Sequence, residues 1–122
     1  MKPCTMGIPP ETCRTLTDTM ARVGDKWSML TIVSLEDGEM RFNELRRRID
    51  GISQKMLTVT LRGLERDGYV SRRVVLTKPS SVYYELTLLG REVLGPVRAL
   101  AVWVLSRMDT IQTARADYDL RN

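Results

Sequence analysis

The stretch from Arg41 to Arg73 reads RFNELRRRIDGISQKMLTVTLRGLERDGYVSRR and decides the fold. Gly51, in its middle, favours the left-handed backbone that ends one helix and turns the chain sharply. Ser53 is a natural N-cap for a second helix. The apolar residues of the first helix recur at the three- and four-residue steps of one buried face, at Phe42, Leu45 and Ile49. Two helices joined by a tight turn predict a helix-turn-helix over residues 42–67.

The same stretch carries the surplus positive charge of the chain. It contains nine Lys or Arg and four Asp or Glu, a net charge of +5, whereas the whole 122-residue chain has +4 and the remainder therefore −1. A basic surplus confined to one helical unit is typical of a nucleic-acid interface. A solvated face on ordinary helices is the alternative, and for Arg48 and Arg66 a surface pair with a nearby acidic residue is an equally good interpretation. We predict that double-stranded DNA is the partner.

Base and phosphate contacts are expected from different parts of this stretch. The second helix would enter the major groove with its N-terminal half on base edges. Gln54 can pair with adenine and Lys55 or Arg62 with guanine, while Thr58 and Val59 suit a thymine methyl group. Basic residues of the first helix and of the following hairpin would bind backbone phosphates. The candidate DNA contacts are Arg41, Asn43, Arg46, Arg47, Ser53, Gln54, Lys55, Thr58, Val59, Arg62, Arg72, Arg73 and Lys78.

Helical and strand patterns flank the helix-turn-helix. The predicted elements are helices at 14–23 and 26–36, a very short strand at Met40-Arg41, strands at 69–76 and 82–86, and a terminal helix at 88–113. The fold class is therefore mostly α with a small antiparallel β-hairpin (α+β). We expect one domain over residues 1–122, in which 1–12 form a flexible arm, 69–87 a wing hairpin, 88–113 a dimerisation helix and 114–122 a frayed tail.

The terminal helix suggests a partner of the same kind. Gly95-Pro96 should kink or restart it. Trp103 lies off its apolar stripe, on a second flank that one domain would leave uncovered. A symmetric homodimer is the simplest explanation, and a monomer in which Trp103 covers its own core is the alternative. Two recognition helices in such a dimer would lie about 34 Å apart, which predicts an inverted-repeat operator.

Composition excludes several other classes of protein. The absence of histidine removes Ser-His-Asp and Cys-His catalysis and the common zinc sites, so we predict no enzyme activity, no cofactor and no metal. No apolar run approaches the roughly 18 residues of a membrane span, and residues 1–10 lack the apolar segment of a signal peptide. Two cysteines, Cys4 and Cys13, are too few for a disulfide framework. These features predict a cytoplasmic protein without membrane contact.

The motifs resemble those of the HxlR-type regulators, which are MarR-like winged helix-turn-helix proteins. The matching strings are GDKW at 24–27, RFNELRR at 41–47, GISQKML at 51–57, LRGLERDG at 61–68 and YELTLLG at 84–90. The resemblance covers roughly residues 13–103. It implies a winged helix-turn-helix transcription factor whose N- and C-terminal helices form a homodimer.

The resemblance also implies a sensor. Many such regulators respond to oxidants or electrophiles through a cysteine ahead of the Gly-x-Lys-Trp string, and Cys13 matches that position. Arg14 stands where a proline is common, and Ser81 stands where an arginine often precedes Val82. From the residues alone, a helix start beside Arg14 favours the thiolate, and an inert thiol is the alternative. Cys4 could resolve an oxidised Cys13 as a disulfide.

Two other functions stay open at the level of sequence. A winged helix can place its basic face on an acidic protein partner instead of on DNA. Alternatively, the regulator senses a small molecule without redox chemistry, in a pocket between the first, second and terminal helices. The candidate lining residues, which also have core spacing, are Met20, Trp27, Met29 and Trp103.

Overall fold

The computed structural model describes residues 7–122 and contains six helices and three strands in that range. In chain order they are α1 (Pro10–Val23), α2 (Lys26–Ser34), β1 (Met40–Arg41), α3 (Phe42–Arg48), α4 (Gln54–Arg66), β2 (Val70–Val75), β3 (Ser81–Leu86), α5 (Leu88–Ser106) and α6 (Met108–Arg121). The predicted mostly helical class with a small antiparallel sheet is confirmed. None of the helices in the described range is both long and apolar enough to cross a membrane.

The core lies where α2, α3 and α4 meet the sheet. The predicted apolar face of α3 is confirmed, because Leu45 and Ile49 are buried and Phe42 packs against the core from its edge. Each fully buried aliphatic side chain stabilises the fold by about 1.5–3 kcal/mol. The other buried apolar residues of this cluster are Ile32, Leu35, Ile52, Leu57, Leu61, Leu64, Tyr69, Val70 and Leu86.

The turn between α3 and α4 has the chemistry that the sequence predicted. Gly51 has a φ angle of +81°, in the region that residues with a Cβ atom rarely adopt. Ser53 is the N-cap of α4, and its hydroxyl oxygen accepts a hydrogen bond from the Met56 amide at 3.0 Å. α4 therefore starts at a defined residue, and its first turn is oriented by local contacts.

The strands form one antiparallel sheet in the order β1-β3-β2. β3 is central, so Tyr83 is paired with Arg41 of β1 on one side and with Arg73 of β2 on the other. Tyr84, the next residue, is paired with Met40 and Arg72 in the same way. Because neighbouring residues of a strand point to opposite faces, these two rows lie on opposite faces of the sheet.

Helix boundaries differ from the predictions at both ends of the chain. α1 begins at Pro10, so residues 10–12 of the predicted arm are helical, because proline presets the φ angle of the first helical turn. α5 continues through Pro96 and does not restart there; the break lies at Arg107. The predicted frayed tail is wrong, since α6 extends to Arg121. Asp109 in its first turn and Arg121 in its last both suit the helix dipole.

Candidate nucleic-acid interface

α4 buries one face and leaves its other face uncovered. Leu57, Leu61 and Leu64 are inaccessible or nearly so. The opposite face includes five predicted base contacts, which are Gln54, Lys55, Thr58, Val59 and Arg62. All are exposed except Thr58, which is half-buried and whose hydroxyl donates a hydrogen bond to the Gln54 carbonyl oxygen at 2.9 Å. The uncovered face therefore presents an amide, two cations and an apolar side chain next to one another.

The arginines of α3 fall into two groups. Arg46 and Arg47 are exposed and form no ion pair with any residue in the range 7–122. Arg48 Nη2 instead lies 3.3 Å from Asp37 Oδ2. The ion-pair interpretation thus holds for Arg48, whereas Arg66 has no such pair within the described range. Within α3, Arg46 and Arg47 are therefore the arginines whose charge no carboxylate of the described chain compensates.

The two wing arginines point to opposite faces of the sheet, and each meets a carboxylate. Arg72 Nε lies 3.8 Å from Glu65 Oε2 of α4. Arg73 bonds both oxygens of Glu39, at 2.7 Å from Nη2 and 3.3 Å from Nε, and this bond raises the pKa of Arg73. The sequence predicted both as DNA contacts. Both have acidic partners within their own chain.

Tyr83 is the residue of this region that the sequence-based predictions missed. Its hydroxyl oxygen accepts hydrogen bonds from Arg41 Nε at 3.1 Å and from Arg41 Nη2 at 2.9 Å. The guanidinium of Arg73 lies 4.5 Å from the centre of the same ring, and that of Arg41 lies 5.2 Å from it. An aromatic residue in a hairpin was visible in the sequence, but its neighbours depend on the strand register.

Tyr84 has a different role on the opposite face. It packs against the core beside α4, and burial raises the pKa of its hydroxyl, while Arg72 and Arg62 oppose that shift. The neutral phenol is therefore the form present at neutral pH. Tyr84 attaches the wing to the helix-turn-helix by packing.

A polar groove of about 730 Å³ separates α3 from the wing turn. Arg41, Asn43 and Arg47 line it on the α3 side. The Glu44 carboxylate accepts a hydrogen bond from the Arg41 amide at 2.9 Å, which caps α3. The other wall includes Ser80 and Ser81, while Lys78 is exposed in the turn between β2 and β3. Three predicted contacts, from two elements, are thus brought to one concave surface.

Comparison with known proteins identifies the family. The HxlR-like helix-turn-helix family model matches residues 22–112. The chain belongs to this family. An uncharacterised HTH-type transcriptional regulator, YtfH of Escherichia coli (strain K12), is 38% identical over 98 residues, which cover 80% of this chain and 78% of YtfH. The members of this family are transcriptional regulators with a DNA-binding helix-turn-helix, and not enzymes.

Two solved structures of the same kind are also similar. YtfH from Salmonella typhimurium, assigned as a transcriptional regulator, superposes with a TM-score of 0.77 at 37% identity, covering 82% of this chain and 89% of that one. The redox regulator HypR in its reduced form superposes with a TM-score of 0.75 at 37% identity, covering 81% and 98%. Both confirm the winged helix-turn-helix architecture.

Cys13 lies in the first turns of α1, ahead of the region that the family model matches. It is half-buried and disulfide-bonded, and its carbonyl oxygen accepts a hydrogen bond from the Thr17 hydroxyl at 2.8 Å. Cys4 lies outside the described residues.

α1 is tied to the end of α4 by an ion pair that the sequence did not reveal. Arg22 Nε lies 3.0 Å from Asp67 Oδ2, and both side chains are about two-thirds buried. The guanidinium crosses α4 at Gly63, where an added Cβ atom would collide with it. Gly63 thus provides the space through which Arg22 reaches Asp67.

The four residues of the predicted effector pocket differ in how far they are exposed. Trp27 packs against the core and Met29 is half-buried, while Met20 and Trp103 are 61% and 54% exposed. Two cavities of the described chain are lined by other residues. The pocket stays a prediction.

The second half of α5 leaves apolar side chains uncovered. Val97 is buried, and Val93 and Leu94 pack against the core. Beyond that point the exposed apolar residues of α5 and α6 include Leu100, Val102, Trp103, Leu105, Met108, Tyr118 and Leu120. An apolar surface of this extent is typical of one that another chain covers.

Proposed function

We propose that this protein is a homodimeric, sequence-specific DNA-binding regulator that acts in the cytoplasm and is controlled by oxidation of Cys13. The observation that carries the proposal is the uncovered face of α4, where Gln54, Lys55 and Arg62 lie exposed in the same unit as the exposed Arg46 and Arg47 of α3. In helix-turn-helix proteins this face enters the major groove. Membership of a family of transcriptional regulators supports the same function.

The interface divides into reading and positioning residues. Gln54 and Arg62 have the planar groups that pair with adenine and guanine in two hydrogen bonds. Arg46 and Arg47 have no carboxylate partner within the described residues, so they suit phosphates, which set the register of the protein but carry no sequence information. Binding to an inverted repeat then requires two copies of α4 on one side of the duplex.

A gel-shift titration with the DNA upstream of the protein's own gene tests this function. We expect a specific complex at moderate salt, with affinity falling steeply as the salt concentration rises, because phosphate binding releases counterions. A random duplex of equal length is the control. If the upstream DNA is shifted no better than the random duplex, the proposal of sequence-specific DNA binding is overturned and an acidic protein partner is favoured.

The dimer is supported by the apolar surface of α5 and α6. Trp103→Asp should convert dimer to monomer in sedimentation velocity, because a charge would have to be buried without a partner. Leu76→Asp is the matched control, since Leu76 is an apolar side chain that is 85% exposed and lies outside α5 and α6. A wild-type protein that sediments as a monomer at micromolar concentration would contradict the proposal.

Control by oxidation is supported by similarity, since the similar protein HypR is a redox regulator. Operator binding should differ between reduced and diamide-treated wild type and should stop responding in Cys13→Ser. Cys4→Ser, run in parallel, tests whether the second cysteine is needed for the response. Equal binding by wild type and Cys13→Ser in both states would remove the redox model and leave the DNA proposal intact.

A further inference from the structure

The Tyr83 hydroxyl holds the guanidinium of Arg41, one of the cations that line the groove between α3 and the wing turn. We propose that Tyr83 is a positioning residue of the DNA interface, whose hydroxyl orients the guanidinium of Arg41 so that Arg41 and Arg47 bind one backbone phosphate in the groove between α3 and the wing. This inference rests on the proposed DNA binding and adds a determinant of affinity to it.

The contact geometry supports a positioning role. Arg41 uses Nε and Nη2 to bond the single oxygen of Tyr83, at 3.1 and 2.9 Å. An exposed arginine side chain has many rotamers, and binding must otherwise restrict them at a cost in affinity. Two converging hydrogen bonds restrict them beforehand. Within the described chain Nη1 of Arg41 has no hydrogen-bond partner, so this amino group is left for a phosphate oxygen.

A chain of contacts across the sheet fixes Tyr83 itself. Glu39 accepts two hydrogen bonds from the Arg73 guanidinium, and that guanidinium lies 4.5 Å from the centre of the Tyr83 ring. The three residues of the row, Arg73, Tyr83 and Arg41, are direct neighbours in the strand register. Arg73 therefore supports the Tyr83 ring. Arg41 is the residue of the row whose guanidinium still has an amino group available for a phosphate.

The groove has the charge and the donors of a phosphate site. Arg41, Arg47, Asn43 and Ser80 all line it, and Glu44 is its acidic residue. Glu44 already accepts the Arg41 amide, so its carboxylate is partly compensated. A phosphate bound between α3 and the wing turn would fix the position of both elements on the duplex. We therefore assign the groove to the DNA backbone.

Tyr83→Phe tests the assignment, since it removes the hydroxyl and keeps the ring on which Arg73 lies. Removing a hydrogen bond of this kind should weaken binding to operator and random DNA alike, by about fivefold. Discrimination between the two DNAs should not change. Tyr84→Phe is the matched control, because the neighbouring hydroxyl lies on the opposite face and, among the described residues, holds no arginine by a hydrogen bond.

A double-mutant cycle separates positioning from a structural role. Adding Tyr83→Phe to Arg41→Ala should cost no further affinity if Tyr83 acts through Arg41, whereas losses that add up would overturn the inference. Thermal melting of each variant shows whether the wing still folds. If wild type binds the operator and Tyr83→Phe binds it with equal affinity, this inference alone is overturned. Wild type that binds no DNA would overturn the proposed function as well.

Discussion

Arg47 of α3 and Arg73 of β2 are both exposed arginines of the same basic stretch, yet their surroundings differ. Arg47 has no acidic partner within residues 7–122 and borders the groove beside Asn43. Arg73 is held by both oxygens of Glu39 and lies against an aromatic ring. A polyanion can bind the first without breaking an ion pair, whereas the second would have to exchange one carboxylate for another anion.

The same contrast separates the helix-turn-helix from the wing. Across the described part of the chain, Arg46, Arg47 and Arg62 have no ion-pair partner, whereas Arg72 and Arg73 each have one. Charge counted along the sequence therefore overstates the cationic area of the wing. Binding energy from phosphates should come chiefly from the helices, and the wing should act by holding Tyr83, Arg41 and the groove in place.

The largest expected effect comes from α4. Arg62→Ala should reduce the discrimination between operator and random DNA by ~1–3 kcal/mol, the value of one good base contact. Arg72→Ala, the paired arginine of the wing, is its matched control and should preserve discrimination. Competition gel shifts at fixed salt measure both. Gln54→Ala tests the adenine contact in the same way. Unchanged discrimination in both Arg62→Ala and Gln54→Ala would contradict the assignment of α4 as the recognition helix.

A smaller effect is expected within α3. Arg47→Ala should weaken binding to all DNA sequences and lower the slope of log affinity against log salt by about one, the share of a single phosphate. Arg48→Ala changes the adjacent arginine, which is paired with Asp37, and should leave the slope nearly unchanged. Fluorescence anisotropy at several salt concentrations measures the slopes. Equal slopes for the two variants would remove the distinction between paired and uncompensated arginines.

The smallest effect is expected at Arg73. Because its charge is already satisfied by Glu39, Arg73→Ala should change DNA affinity by less than about twofold. A decrease as large as that of Arg47→Ala, with a salt slope also lowered by about one, would mean that Arg73 leaves Glu39 to bind a phosphate, and the contrast between wing and helices would not hold. Glu39→Gln, measured alongside, releases Arg73 and should strengthen binding to random DNA, since it removes a negative charge.

Local patterns were sufficient to predict most of the elements. Ser53 and Gly51 carry their own conformational preferences, so the turn between α3 and α4 was readable from two residues. The apolar spacing of Phe42, Leu45 and Ile49 identified a buried helical face for the same reason. A prediction failed where the preference was weak, after residue 113, where a polar segment is helical.

The partners of charged groups could not be read in this way. Glu39 and Arg73 are 34 residues apart, and Arg22 and Asp67 are 45 apart. Gly63 was visible as a glycine inside a helix, but nothing nearby in the sequence indicated that Arg22 would cross it. Contacts of this kind depend on strand register and on helix packing, which no local spacing encodes.

The helix-turn-helix, the wing and the concentration of positive charge between Arg41 and Arg73 can all be predicted from the sequence alone. Those features follow from short-range preferences and from composition, which act within a few residues of the chain. Only the tertiary structure decided which cations are compensated, since that depends on carboxylates brought from distant elements. It also placed Tyr83 between Arg41 and Arg73, because β3 takes the centre of the sheet and pairs with a strand on either side.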